Sequence, residues 1–331
     1  MRAPDFWAPG QGGAAAALLA PLGSLYALGT RLRLAMGRPW QAPVPVICIG
    51  NLVAGGTGKT PVAIALARRL MAQGLTPHLL SRGHGGRESG PLRVDIARHR
   101  AVDVGDEPML LAAAAPTWIA RDRAAGARAA VADGAGCILM DDGFQNPALA
   151  KDLSLIVIDG AYGFGNGRPI PAGPLRESVS AGIARADAVV LIGEDRHGVV
   201  ERLTASRRHA PPILRARIVP DADSVAHLDG RSVVAFAGIA RPERFFSTLE
   251  SIGCRVLSRH AFADHHPFSD AEAMRMIDAA DRAAAIAVTT AKDHVRLTAE
   301  VRRRISVLTI TLHFDDEAGL DQLLGTRAER S

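Results

Sequence analysis

The chain has 331 residues, 48% of them apolar and 22% charged, with a formal net charge of +5. That length exceeds what one compact core usually holds, so two α/β units are expected, and apolar runs mixed with charge throughout exclude long disorder. The basic balance suits an anionic partner such as a nucleotide, a phospholipid or a phosphorylated sugar, whereas scattered basic residues with few aromatics between them give no nucleic-acid reading head.

Residues 14–30 are apolar apart from Ser24 and Thr30, are interrupted by Pro21 and Gly23, and are followed by Arg31, Arg33 and Arg38. The run is shorter than the roughly 20 residues that span hydrocarbon, and its positive charge trails it, so a cleaved signal peptide fits poorly. An interfacial helix within residues 1–38 fits better. Trp7, Leu18, Leu19, Leu22, Leu25 and Leu28 would enter the lipid boundary, with the arginines on anionic headgroups.

Residues 44–49 form a short β-branched run ending in a Gly-rich loop, and residues 61–73 then read as a helix closed by Gly74. Pro61 is tolerated at that helix start because the first backbone N–H groups lack partners anyway. Further strands are predicted at 77–80, 117–120, 137–140, 155–158, 188–192 and 213–219, with helices at 107–115 and 121–133 between some of them. Near-continuous apolar strands separated by helices imply a parallel sheet covered on both faces. A second series starts at strand 233–237. It continues with helix 242–252, strand 255–259, helix 270–284 and strands 286–289 and 307–312. The polar stretch 220–230 sets the boundary, giving units at 39–222 and 223–331. Cys48, Cys137 and Cys254 lie in strand-like runs at no metal-ligand spacing and read as buried free thiols.

Gly55-Gly56-Thr57-Gly58-Lys59-Thr60 follows a predicted strand and opens a predicted helix, the context a phosphate loop requires. Its glycines let backbone N–H groups converge on phosphate oxygens, and the helix N-terminus adds partial positive charge. Residues Val53, Ala54 and Gly55 to Thr60 are therefore the expected ATP site. Lys59 would neutralise the β- and γ-phosphates, and the Thr60 hydroxyl would reach Mg²⁺. The usual pattern has glycine where this chain has Val53. Asp141-Asp142 closes the apolar run 137–140, and carboxylates there face the nucleotide crevice and would serve the Mg²⁺ shell, directly or through water. Three more clusters admit plain structural readings: Gly105-Asp106-Glu107-Pro108 as a helix cap, Asp264-His265-His266 as a surface turn, and Arg176-Glu177 as a solvated pair.

Taken together, these segments resemble the tetraacyldisaccharide 4′-kinase family of lipid A synthesis. The resemblance is carried by Gly50-Asn51-Leu52 with the phosphate loop, Ser81-Arg82-Gly83, Gly105 to Pro108 and Asp141-Asp142-Gly143-Phe144-Gln145. It continues through Gly165-Asn166-Gly167-Arg168, Pro171 to Glu177, Phe236-Ala237-Gly238-Ile239, Pro242-Glu243-Arg244-Phe245-Phe246, Asp264-His265-His266 and Thr289-Thr290-Ala291-Lys292-Asp293. It implies a P-loop NTPase-type parallel-sheet domain, a second, smaller α/β/α domain and an N-terminal membrane-associated helix, with the active site in the cleft. It also implies transfer of the ATP γ-phosphate to the 4′-hydroxyl of a tetraacylated glucosamine disaccharide phosphate, forming lipid IVA. A monomer is expected at the cytoplasmic face of the inner membrane, peripheral or monotopic, handling a lipid substrate and no nucleic acid.

By the same resemblance the catalytic aspartate maps to Asp106, its histidine partner to His265, the acid pair to Asp141 and Asp142, and the Arg-Glu pair to Arg176 and Glu177. Arg176 would stabilise the transferring phosphoryl group, and Glu177 would bind metal or order that arginine. Two departures stand out: His84 where the family commonly has tyrosine, and Thr290-Ala291 before Lys292-Asp293 in place of the commoner Glu-Lys-Asp form. A partition-type ATPase would carry lysine where this chain has Ala54, and a GTPase would carry an Asn-Lys-x-Asp guanine reader, which does not appear.

Overall fold

The computed structural model describes residues 3–205 and 210–328. Its strands are β1 (Val46–Gly50), β2 (Pro77–Ser81), β3 (Leu92–Arg93), β4 (Thr117–Ile119), β5 (Cys137–Asp141), β6 (Leu153–Asp159) and β7 (Ala188–Ile192). They continue with β8 (Ile213–Pro220), β9 (Ser232–Ala237), β10 (Arg255–Ala261), β11 (Ile286–Thr290), β12 (Ser306–Leu308) and β13 (Ile310–Phe314). One sheet runs β13-β8-β7-β6-β1-β5-β2-β4-β3 and the other β10-β9-β11-β12. The large sheet is parallel except at its two edges, where β3 and β13 run antiparallel. Strands β1, β5, β6 and β7 are buried along their whole length, which is why they read as unbroken apolar runs. The chain leaves β1 toward β2, returns through β5, and only then builds β6 on the other side of β1. The end of β1 is therefore the switch point, where a crevice opens between diverging connections.

Each face of both sheets is covered. The Lys59–Ala72 helix places Val62, Leu66 and Leu70 on one face of the large sheet, beside Leu320 and Leu324 of the Glu317–Ala328 helix. Arg69 ties those helices together by reaching Glu317 at 2.9 Å and Asp321. The opposite face holds Ala127, Ala130, Phe144 and Phe164. On the small sheet, Phe245, Phe246 and Leu249 cover one side and Ala273, Ile277 and Ala280 the other. The amphipathic Pro242–Ser251 and Asp270–Arg282 helices supply them.

Two features differ from the expected division. The apolar run 307–312 is two strands, not one: β12 completes the small sheet, and β13 crosses back to the edge of the large sheet against β8. The break falls at Thr309, whose carbonyl accepts from the Asp221 amide at 3.0 Å and whose amide donates to Ser224 Oγ at 3.2 Å. The outgoing and returning crossings are thus bonded to each other, and the residues from Ile310 onward belong with the large sheet. At the other end, the N-terminal helix spans Gly13–Ala35, longer than its apolar run because the flanking arginines continue it without strain. Only Ala16, Gly23 and Thr30 are buried there, a line of small residues seven apart, and a Cβ on Gly23 would lie 2.9 Å from the Pro169 carbonyl oxygen. Leu18, Leu22, Leu25, Leu28, Leu32 and Met36 stay exposed. Trp7 does not join them: it is half-buried, and its indole N–H donates to the Pro171 carbonyl at 3.1 Å. The three cysteines are buried and unpaired.

Candidate active site

The phosphate loop joins β1 to the Lys59–Ala72 helix. Gly55 and Gly58 adopt φ of 117° and 88°, left-handed conformations that favour glycine, and Cβ atoms added at Gly55 or Gly56 would meet nothing within 4 Å. That open space is the cradle a phosphate chain needs. Asn51 braces the loop from beneath, donating to the Val53 carbonyl at 2.7 Å and to Thr57 Oγ1 at 3.0 Å. Val53 and Ala54 tie the start of the loop to the segment before Arg176. Val53 is buried and bridges Leu175, and the Ala54 amide donates to the Pro174 carbonyl at 2.8 Å. A side chain that packs in this bridge explains the departure from glycine at Val53.

Asp141 ends β5 beside β1, and Asp142 begins the turn with φ of 51°. Asp142 accepts a two-pronged bond from Arg176 at 2.8 and 3.1 Å and lies 3.6 Å from Lys59. Burial would raise its pKa, but the charges of Lys59 and Arg176 overturn this and hold it at about 2. Asp141 differs: it is 1% exposed, and neither carboxylate oxygen has a hydrogen-bond partner. Burial, then the negative charge of Glu107, push its pKa up to about 7 against the opposing pull of Lys59. An orphaned buried carboxylate at a strand end beside a phosphate loop fits Mg²⁺, and Asp141 with Thr60 could hold the ion. Among the described residues no group of three or more acidic, histidine or cysteine side chains gathers as a metal cage. Mg²⁺ needs none, since it usually takes one or two protein ligands and completes its shell with water and phosphate oxygens. Glu177, expected as a further metal ligand, is otherwise engaged. Arg185 donates to both its oxygens at 2.7 Å and Gln145 to one at 3.0 Å, so Glu177 braces the turn that carries Arg176.

Asp106 opens the Asp106–Ala112 helix on the large-sheet unit and is buried. Its Oδ2 meets three donors from the small-sheet unit: Arg296 Nε at 3.0 Å, Arg296 Nη2, and His265 Nδ1 at 2.9 Å. Its Oδ1 accepts the Glu107 amide at 2.9 Å. Burial alone would raise its pKa, yet the His265 hydrogen bond and the charges of Lys292 and Arg296 bring it well below the usual carboxylate range. His265 sits at φ 59°, its amide on the Gly238 carbonyl at 3.0 Å, and Lys292 Nζ lies 3.2 Å from its Nε2. The ring thus stands between the Lys292 ammonium at Nε2 and the Asp106 carboxylate at Nδ1, with Arg296 Nη2 also 3.3 Å from Nδ1. Arg296 is itself fixed by Asp293 at 2.7 Å and the Gly238 carbonyl at 3.0 Å, and burial raises the pKa of Asp293.

The expected residues form two groups joined by charge. Lys59, Asp142 and Arg176 touch, Asp141 lies beside them, Glu107 acts on Asp141 and reaches Lys292 at 3.7 Å, and Lys292 leads to His265 and Asp106. His84 stands apart: its side chain is exposed, and its carbonyl packs where a Cβ on Gly105 would meet it at 2.5 Å. Sequence reasoning missed Arg296, which reaches Asp106 through two nitrogens, because nothing marks one arginine of a short connecting turn. Asp293 and Asn51 were read only as parts of motifs.

A loop built for phosphates, an unpaired acid beside it and a base candidate shared by two sheets define a phosphoryl-transfer type of site. Comparison with known proteins narrows it. The family model for tetraacyldisaccharide-1-P 4′-kinase (LpxK) matches residues 15–329. The tetraacyldisaccharide 4′-kinase of Rhodospirillum centenum is 57% identical over 327 residues, 98% of this chain and 96% of that one. That of Paramagnetospirillum magneticum is 53% identical over 331 residues, 99% and 100% of the two chains. Among solved structures, LpxK from Aquifex aeolicus in complex with ATP superposes with a TM-score of 0.73 at 25% identity, covering 95% of this chain and 99% of its own. Matches of that extent, in both sequence and fold, make this chain a member of the tetraacyldisaccharide-1-P 4′-kinase family.

Proposed function

We propose that this protein transfers the γ-phosphate of ATP to the 4′-hydroxyl of a tetraacylated glucosamine disaccharide 1-phosphate, forming lipid IVA. The observation that carries the reading is the meeting of Asp106 with His265 and Arg296 across two sheets, next to a glycine cradle ending in Lys59. A simple ATPase has no need of a buried carboxylate positioned from a second unit. A sugar hydroxyl does need such a group to orient it and to take its proton.

In this mechanism the glycine loop and Lys59 hold the triphosphate, and Arg176 faces the charge that develops on the transferring group. Asp141 and Thr60 would hold Mg²⁺, which would supply positive charge against the phosphates. The 4′-oxygen donates a lone pair to the γ-phosphorus, the bond from that phosphorus to the β,γ-bridging oxygen breaks, and ADP departs. The hydroxyl proton passes to Asp106, whose Oδ1 keeps lone-pair capacity beyond the Glu107 amide, and from there to solvent. His265, Lys292 and Arg296 keep Asp106 ionised and pointed. Because the orienting groups come from both units, an open cleft would be inactive, which limits transfer to water.

The exposed leucines of the Gly13–Ala35 helix support association with a membrane surface. Its 23 residues make a rod about 35 Å long, enough to enter or cross hydrocarbon, and Arg31, Arg33 and Arg38 would meet anionic headgroups on the cytoplasmic face. The test is incubation of purified protein with γ-labelled ATP and the lipid disaccharide monophosphate. Label in the lipid is expected; label confined to ATP and inorganic phosphate would end the kinase reading.

A further inference from the structure

Strand β6 lies directly beside β1, which feeds the phosphate loop. Its last residue, Asp159, is buried, and its partners come from the other sheet's unit. Arg241 Nη1 donates to Oδ2 at 2.6 Å, Arg244 Nη1 to Oδ2 at 3.2 Å and Arg244 Nη2 to Oδ1 at 3.3 Å. The Ala161 amide adds a bond to Oδ1 at 3.0 Å, and the Arg241 guanidinium stacks 5.1 Å over the Tyr162 ring. Both arginines stand at the start of the Pro242–Ser251 helix, where positive charge opposes the helix dipole, so helix stability does not account for them. The carboxylate of Asp159 does.

What this pairing holds is the short connection from β9 to that helix, residues 238–241. Arg241 is its last residue. Its first, Gly238, accepts from Arg296 Nη1 and from the His265 amide, each at 3.0 Å, and donates to Asp293 at 3.1 Å. A Cβ at Gly238 would lie 3.1 Å from Asp293 and from His266, so the connection is packed on the side facing the Asp106 cluster. One four-residue segment is therefore clamped to the phosphate-loop side of the large sheet at one end. At the other it carries the carbonyl that aims both donors to Asp106.

We propose that Asp159, Arg241 and Arg244 form a clasp between the two units, positioning His265 and Arg296 on Asp106 through residues 238–241. These are positioning residues, acting through the connection and not on the reacting atoms. The proposal rests on the phosphoryl-transfer reading above.

The test compares wild type with Asp159→Asn, Arg244→Gln and the double variant. For each, lipid phosphorylation at saturating ATP, affinity for a fluorescent ATP analogue, and hydrogen exchange at the Gly238 and His265 amides without substrate are measured. A slight misplacement of a catalytic group is costly, so kcat should fall about tenfold or more while analogue affinity stays within about threefold. Exchange at the two amides should rise by about tenfold as the connection loosens. The double variant should be no worse than the more impaired single one, because both remove the same contact. Arg244, half exposed, keeps the test open should Asp159→Asn fail to fold. Weakened nucleotide affinity with unchanged kcat would make the arginines a nucleotide site and overturn the clasp, as would unchanged kcat and exchange in every variant. If wild type itself leaves the lipid unlabelled, the function reading fails, and the exchange data alone decide the clasp.

Discussion

Asp141 offers the sharpest test of how the site is built, because its carboxylate is buried with no hydrogen-bond partner on either oxygen. An unfolded aspartate titrates near 3.9, whereas burial and the Glu107 charge push this one up to about 7. A raised pKa in the folded state means the ionised form opposes folding. The cost is absent below about pH 4, grows as pH rises toward 7, and then levels off. With those two values it amounts to about 1–2 kcal/mol at pH 5 and about 4 kcal/mol at pH 8. Asp141→Asn removes the ionisation and leaves a neutral buried amide, whose own penalty of about 1–3 kcal/mol does not depend on pH. Urea unfolding of both proteins in chelator should therefore show the variant gaining about 2–3 kcal/mol on wild type between pH 5 and pH 8. Mg²⁺ with nucleotide should raise the wild-type midpoint at pH 8 and leave the variant nearly unmoved, while kcat of the variant collapses. Parallel stability curves for the two proteins across that pH range would refute both the strain at Asp141 and its assignment to the cation.

Asp106→Asn should lower kcat by roughly 10²–10⁴ with ATP affinity intact, and a variant keeping near-full kcat would remove Asp106 from proton transfer. Arg296→Met leaves the buried Asp106 and Asp293 carboxylates facing each other's site without their shared cation, so a loss of about 3–5 kcal/mol is expected in urea unfolding. The depressed pKa of Asp106 gives stability that is present above the unfolded value and lost as pH falls through the folded one. In Arg296→Met that acid loss should be smaller and finish at a higher pH; an unshifted acid limb would deny the pairing. Glu177→Gln should leave the Mg²⁺ concentration for half-maximal activity unchanged, because Arg185 already occupies the carboxylate. A tenfold rise, on the order of losing one weak ligand, would return Glu177 to the metal shell. Deleting residues 1–35 should release the protein from membranes, and unchanged sedimentation with vesicles would count against the helix as the anchor.

Much of the fold was legible because its signals are local. Buried parallel strands must be apolar throughout, so β1, β5, β6 and β7 announce themselves, and the glycines of the phosphate loop follow from the φ values they adopt. What stayed hidden depends on contacts distant in sequence. Nothing in the apolar run 307–312 reveals that its halves join different sheets, because the switch at Thr309 is set by bonds to Asp221 and Ser224 some 85 residues away. Arg296 is equally silent, since its meaning comes from a partner on another unit, 190 residues earlier. The partners of Glu177 stayed hidden for the same reason: Arg185 and Gln145 cannot be read from a carboxylate beside an arginine in sequence. Trp7 was grouped with the lipid-facing leucines of the N-terminal helix, but its indole N–H found the Pro171 carbonyl instead.

That docking of Trp7 links the two ends of the proposed reaction. The segment 162–176 receives the N-terminus: Asn166 Nδ2 donates to the Phe6 carbonyl at 2.7 Å, the Asn166 amide to the Trp7 carbonyl at 2.9 Å, and the Tyr162 hydroxyl to that same carbonyl at 3.2 Å. A Cβ on Gly165 would strike the Trp7 carbonyl at 2.5 Å, so the close approach demands glycine there. The same segment then pairs with the arm of the phosphate loop through Pro174 and Leu175, and ends on Arg176, which holds Asp142. A substrate whose acyl chains stay in a bilayer can present only its sugar to a soluble cleft, so the height of that cleft above the membrane matters. Here one continuous stretch of chain fixes the exposed apolar helix at one end and the arginine that holds Asp142 at the other. Loosening its middle, as Asn166→Ala would by freeing the Phe6 carbonyl, should raise KM for the lipid while leaving ATP binding alone. An equal loss toward a short-chain, water-soluble disaccharide acceptor would show that the segment only stabilises the fold.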